Sequence, residues 1–134
     1  MTDSFEIKSA DGPERVELKA LRRDFILVTA TGTDLLASAE VAHIGGGDGL
    51  NGYWADLAKS WRGWSGEKTW RSIEGDFGFS ATSDRTGHVT LKVTLAFRAP
   101  WRWQTQVVLA IEAGQLDGLA AGALAFARYL GAAA

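Results

Sequence analysis

The sequence predicts an α+β domain: a mostly antiparallel sheet of about six to seven strands, with a middle helix over about 49–62 and a C-terminal helix over about 115–130 packed on one face. Three observations predict it. Apolar and polar residues alternate with a period of two through residues 5–44 and again through 73–113, the signature of strands with one buried face. Helical spacing is confined to two places, Trp54, Leu57, Ala58 and Trp61, and later Leu116, Leu119, Ala120, Ala123, Ala127 and Leu130. Strands and helices do not alternate along the chain, which argues against a doubly wound nucleotide fold.

Taken in order, Phe5 and Ile7 alternate with Glu6 and Lys8 before the turn residues Asp11-Gly12-Pro13. Val16, Leu18 and Ala20 alternate with Arg15, Glu17 and Lys19. Phe25 to Thr31 is more continuously apolar, as a central strand is, and Gly32-Thr33-Asp34 turns the chain into a further strand over Leu35 to Ile44. The glycine run at 45–49 ends the series, with Asp48 placed as the N-cap of the middle helix and Gly63 placed to end it in a left-handed cap. Ile73, Phe77, Phe79 and Ala81 then share one face with Val89 to Phe97 and with Trp103 to Ile111. Ser83 to Gly87 and Ala99 to Trp101 are the expected hairpin connections. In the last helix Gly118 and Gly122 each lower helix propensity by about 1 kcal/mol relative to alanine, so a close approach to the sheet is expected there.

Composition narrows the function classes. The chain has 134 residues and no cysteine, which removes thiol nucleophiles, thiolate zinc sites and disulfides. At this length roughly 65–70% of the unfolded surface can be buried, so a core needs no staple, and one domain over 1–134 is expected. Fourteen basic against sixteen acidic residues leave no surface basic enough to track nucleic acid. Met1 to Glu6 lacks a basic stretch followed by an apolar run, and no apolar stretch is long enough for a bilayer, so a cytoplasmic protein without membrane contact is expected.

Four short segments, Trp61-Arg62-Gly63-Trp64, Trp70-Arg71-Ser72-Ile73-Glu74, Gly87-His88-Val89-Thr90-Leu91 and Glu112-Ala113-Gly114-Gln115-Leu116, occur in this order. Together they resemble the domain of unknown function family 6228, over roughly residues 20–130. The resemblance implies a whole-chain domain of actinobacterial source. It carries no activity and no catalytic residues.

The chemistry-bearing groups are few. Asp48-Gly49-Leu50 stands where a phosphate loop needs Gly-Lys-Ser/Thr, and its carboxylate repels phosphate. His88 is expected opposite Thr82 on one side and Glu112 on the other, a histidine–carboxylate pair without a nearby nucleophile. Glu74, Asp76, Ser80, Thr82, Thr90, Lys92, Thr94, Gln104 and Gln106 are expected on a polar outer sheet face, where Glu74 and Asp76 form a chance-level carboxylate pair. Six tryptophans are the anomaly. Trp54, Trp61 and Trp103 have core positions waiting, whereas Trp64, Trp70 and Trp101, interleaved with Arg62, Arg71, Arg98 and Arg102, form a candidate aromatic and arginine cluster. Trp64, Trp70, Arg71, Glu74, His88 and Trp101 are therefore the candidate binding residues, with no catalytic residue, metal site or cofactor expected. The leading reading is a non-enzymatic protein-binding module with an unidentified protein partner, analogous at the level of fold to small immunity proteins. The alternative is a small-molecule or carbohydrate binder or enzyme with a Trp-lined pocket. Nothing in the sequence sets an oligomeric state.

Overall fold

The computed structural model describes residues 3–97 and 102–133. In chain order the elements are β1 (Ser4–Lys8), β2 (Arg15–Arg22), β3 (Phe25–Gly32), β4 (Leu35–Ala42), α1 (Leu50–Lys59), β5 (Lys68–Arg71), β6 (Phe77–Ser83), β7 (Val89–Phe97), β8 (Trp103–Ile111) and α2 (Ala113–Ala133). The α+β class and the antiparallel pairing hold. The strands form two four-stranded sheets, β1-β2-β3-β4 and β5-β6-β7-β8, in place of the single sheet of six to seven. Each sheet is a meander followed by one helix. Alternation along a strand says which face is buried and nothing about which strand lies beyond the next turn. The extra strand is β5, four residues with one large apolar side chain, too short to show a period.

The inner faces are those the alternation sets. Phe5, Ile7, Val16, Leu18, Ile26, Val28, Ala39 and Val41 are buried from the first sheet, and Phe77, Phe79, Leu91, Val93, Leu95, Leu109 and Ile111 from the second. One contiguous cluster joins them to both helices. β4 lies against β7 and β3 against β8. The small inner side chains Ala37 and Ala39 suit β4 to that approach. A second link runs along an edge: the amide of Ala10 donates to the carbonyl of Ala110 (2.8 Å), and the amide of Ala110 donates to the Ser9 hydroxyl (3.0 Å). The β1–β2 loop therefore hooks onto edge strand β8.

α1 is shorter than its stripe predicts. It ends at Lys59 with Ser60 as C-cap, and Gly63, at φ +113°, lies in the loop beyond. Trp61 thus falls outside the helix and stands 50% exposed, not in the core. The N-cap position is Gly49, and Asp48 does not cap the helix with its side chain. Its carboxylate instead accepts from the amides of Ile44 (2.7 Å) and Ile73 (3.0 Å), tying the glycine run to the turn after β5. α2 starts two residues earlier and ends three residues later than expected. Gln115 Oε1 accepts from the Glu112 amide (2.8 Å), half of a capping box, while its Nε2 donates to the carbonyl of Lys8 (3.1 Å). The expected close approach exists at Gly122, where a Cβ would stand 3.3 Å from the Phe5 ring, but not at Gly118, which faces open space.

Candidate functional site

Three of the four segments that carry the resemblance meet at one end of the second sheet. The α1–β5 loop lies against the β6–β7 hairpin because two glycines let backbone meet backbone. A Cβ on Gly63 would stand 2.8 Å from the carbonyl oxygen of Asp84, and one on Gly87 would stand 2.6 Å from that of Trp61. Both glycines have positive φ, +113° and +82°, a region L side chains rarely adopt. Gly87 also sits 3.4 Å from Ala113 by the same measure, so the start of α2 closes the group.

The hairpin is fastened by Asp84. Its carboxylate accepts from the Thr86 amide and hydroxyl (both 2.8 Å), from the His88 amide (3.0 Å), and faces His88 Nδ1 at 3.1 Å. His88 Nε2 lies 3.2 Å from Glu112 Oε2. The expected Glu112 neighbour is therefore present. The Thr82 neighbour is not, because Thr82 pairs with Thr90 and the turn places Asp84 across from His88. Both ring nitrogens face acceptors, and the Thr86 hydroxyl within reach is itself committed to Asp84.

The Thr86 hydroxyl first, and the His88 amide next, hold the Asp84 carboxyl down at about 2 from its ordinary 3.8. A depressed carboxyl stabilises the folded hairpin fully above the ordinary value, and that contribution is lost as pH falls through the lowered one. A carbon NMR titration should therefore find the Asp84 midpoint near 2, moving back toward 3.8 in Thr86→Val. A wild-type midpoint near 3.8 would contradict this geometry.

Between loop and hairpin lies an open cleft of about 700 Å³, lined by Arg62, Trp64, Ser65, Ser83, Asp84 and Arg85 among others. Arg62 stacks over the Trp61 ring at 4.9 Å. Trp64 is half-buried: its indole donates to the carbonyl of Ala81 (3.3 Å), and Lys68, which pairs with Asp56 at 2.8 Å, lies 5.7 Å from its ring. Among the described residues no group of three or more His, Asp or Glu is arranged to hold a metal ion, and no helix is long and apolar enough to cross a membrane.

The remaining candidates lie elsewhere. Trp70 points inward, against the outward expectation, and packs on Phe77 (5.5 Å) and Phe79 (5.4 Å). The β5–β6 turn explains the error: Trp70 pairs with Phe79, so parity inverts between the two strands. Ile73 belongs to that turn and is 52% exposed, not on the inner face. Asp76, expected outside beside Glu74, is buried and accepts from the Ser72 hydroxyl at 2.7 Å, while Glu74 sits exposed in the turn. Arg71 is exposed and borders a separate cavity of about 100 Å³ with Ser80 and Thr94. Trp101, Arg98 and the Ala99 to Trp101 connection lie outside the described residues. Thr82, Thr90, Lys92, Thr94, Gln104 and Gln106 do form the exposed outer face, with Ser80 partly covered. Sequence reading placed Trp61 in the core and passed over Asp84 and Arg85. The signal for Asp84 was the Asp-x-Thr-Gly turn, in which an aspartate binds amides two residues on.

A family model described as a family of unknown function, DUF6228, matches residues 9–129. The chain belongs to this family. The resemblance carried by the four segments is thus correct, and the loop, hairpin and helix start that build the DUF6228 cleft all fall within the matched span. No curated protein and no solved structure matches the chain.

Proposed function

We propose that this DUF6228 chain is a non-enzymatic binding module of the cytoplasm that takes a protein partner in the cleft between the α1–β5 loop and the β6–β7 hairpin. The observation that carries this reading is the half-exposed Trp61 with Arg62 stacked on it, set on a loop locked to the hairpin at Gly63 and Gly87. Tryptophan and arginine dominate interface hot spots, and a backbone fixed before binding loses less entropy on association. The cleft is open, which suits a macromolecular surface better than the enclosed apolar pockets of small ligands. Its charge also points to a partner: Asp84 is already occupied by donors, whereas Arg62 and Arg85 have no carboxylate partner among the described residues. Two guanidiniums without a carboxylate, Arg62 stacked on Trp61 and Arg85 across the cleft, fit acidic side chains on the partner. An immunity-type role, in which the module blocks a toxin, is the specific form of this reading.

The test uses the full chain as bait in a lysate of its source, with calorimetry on the captured protein. Trp61→Ala with Arg62→Ala should weaken that complex at least tenfold, about 1.4 kcal/mol, while the variant stays folded at the temperature of the titration. Lys92→Ala with Thr94→Ala, on the outer sheet face, should leave it intact. Equal affinities for wild type and the Trp61, Arg62 variant would refute the assignment.

A further inference from the structure

A strand at the end of a sheet carries a row of backbone amides and carbonyls without partners, and natural proteins shorten, charge or cover such edges. The two sheets end in β1, β4, β5 and β8. Three of these edges are blunted. β1 is five residues long, holds Glu6 and Lys8, and lies against α2. β5 is four residues long, holds Lys68 and Arg71, and gives the Lys68 carbonyl to the Tyr53 hydroxyl (2.9 Å). β8 gives both backbone groups of Ala110 to the β1–β2 loop. β4 differs: it is eight residues long, with no proline, glycine or bulge, and Glu40 is its one charged residue.

The hairpin register decides which backbone groups face out. The His43 amide donates to the Asp24 carbonyl (2.9 Å), and these two residues continue the register that pairs Phe25 with Ala42. Hydrogen-bonded pairs recur at every second residue of an antiparallel ladder, so Ala37, Ala39 and Val41 bond to β3. Leu36, Ser38 and Glu40 therefore turn amide and carbonyl away from it. Among the described residues no strand pairs with this edge and no backbone group bonds to it.

We infer that β4 is a self-association edge, through which two copies of the chain pair antiparallel about a two-fold axis at Ser38. Ser38 then faces Ser38 of the second copy, and Leu36 faces its Glu40. Each such pair exchanges two backbone bonds, about six in all. Two features select this register and a second copy as the occupant. The Ser38 hydroxyl lies 3.0 Å from that of Thr29 on β3, so the axis extends this pair into a row of four hydroxyls, one Thr29 and one Ser38 from each copy. The register also sets the two Glu40 carboxylates four positions apart along the strands, about 13 Å. An axis at Ala39 sets them two positions apart, one at Glu40 sets them face to face, and one at Ala37 shortens the ladder. Leu36, 74% exposed, gains cover from the stems of Glu40 and of the Arg22 paired with it. A contact made along one edge buries less than the roughly 1,200 Å² of a stable interface, so the dimer is a weak one.

Sedimentation of the full chain, from about 10 µM to about 1 mM, tests this weak association. Wild type should pass reversibly from monomer to dimer. As it does, the amides of Leu36, Ser38 and Glu40 should gain protection from hydrogen exchange, while those of Ala37 and Ala39, already bonded to β3, change little. Ser38→Lys brings two ammonium groups together at the axis and should weaken dimerisation by about tenfold or more. An equimolar mixture of Ser38→Lys with Ser38→Glu should restore it as a heterodimer, which an unfolded variant cannot do. A wild type that stays monomeric throughout, a Ser38→Lys variant that dimerises as tightly as wild type, or a mixture that stays monomeric overturns the inference. Each of these results leaves the cleft reading untouched, since no cleft residue takes part.

Discussion

Trp54→Ala is expected to lower the free energy of unfolding by about 3–5 kcal/mol, the largest loss from any single side chain here. Trp54 is fully buried and meets Phe5 of β1 at 5.8 Å, Phe79 of β6 at 5.4 Å and Tyr53 of its own helix at 5.7 Å, each edge to face. It is the point where both sheets and α1 share one contact. Removing the indole leaves a cavity that rigid strands on two sides cannot close. Its Nε1 has no partner, so Trp54→Phe, which deletes that orphan donor along with part of the ring, should cost clearly less than the alanine variant. Urea unfolding gives the comparison, with Trp61→Ala as the control. Trp61 is half exposed, and its truncation should stay within about 1 kcal/mol. A loss for Trp61→Ala as large as that for Trp54→Ala would mean that the two tryptophans are wrongly assigned.

The tryptophans also show what sequence can and cannot say. Helical spacing grouped Trp54 with Trp61, and the structure separates them because the helix stops at Lys59. Trp61 is then free to face solvent. The buried faces of the longer strands were legible, since a period of two leaves one choice once a strand is long enough. The division into two sheets was not, because pairing is decided by what the loops allow. Trp70 failed for a related reason: the six residues between Arg71 and Gly78 change parity, and no residue type there announces it. At the candidate site, His88 and Glu112 were legible from strand register alone. Asp84 was visible only as a turn residue, and the approach of the α1–β5 loop to the hairpin was not visible at all. Gly63 reads as a helix-ending glycine and Gly87 as a turn glycine until the facing carbonyls are known.

Gly87→Ala is the second large effect expected. Alanine there must adopt φ near +82° and place its Cβ 2.6 Å from the Trp61 carbonyl oxygen, closer than real Cβ atoms come to any neighbour. Backbone on both sides leaves no flexible side chain to yield. The two loops must part, at a cost of about 2–3 kcal/mol. Gly49→Ala is the matched control. Gly49 has φ +81° but nothing within 4 Å of an added Cβ, so it bears only the left-handed penalty of about 1–2 kcal/mol. Thermal and urea unfolding of the pair measure the difference. The excess for Gly87→Ala is the strength of the loop contact, and the same variant should weaken partner binding although Trp61, Arg62 and Arg85 are all still present. Identical losses for the two glycines would mean that the contact contributes nothing.

The central claim is that a protein partner sits on the surface formed by that contact. Hydrogen exchange of the full chain, free and saturated with the captured partner, tests it most directly. The account predicts new protection concentrated at Ser60–Gly66 and Ser83–His88, with the outer-face strands around Lys92 and Gln106 exchanging as in the free protein. Protection confined to that outer face, with the loop and hairpin unchanged, would contradict it.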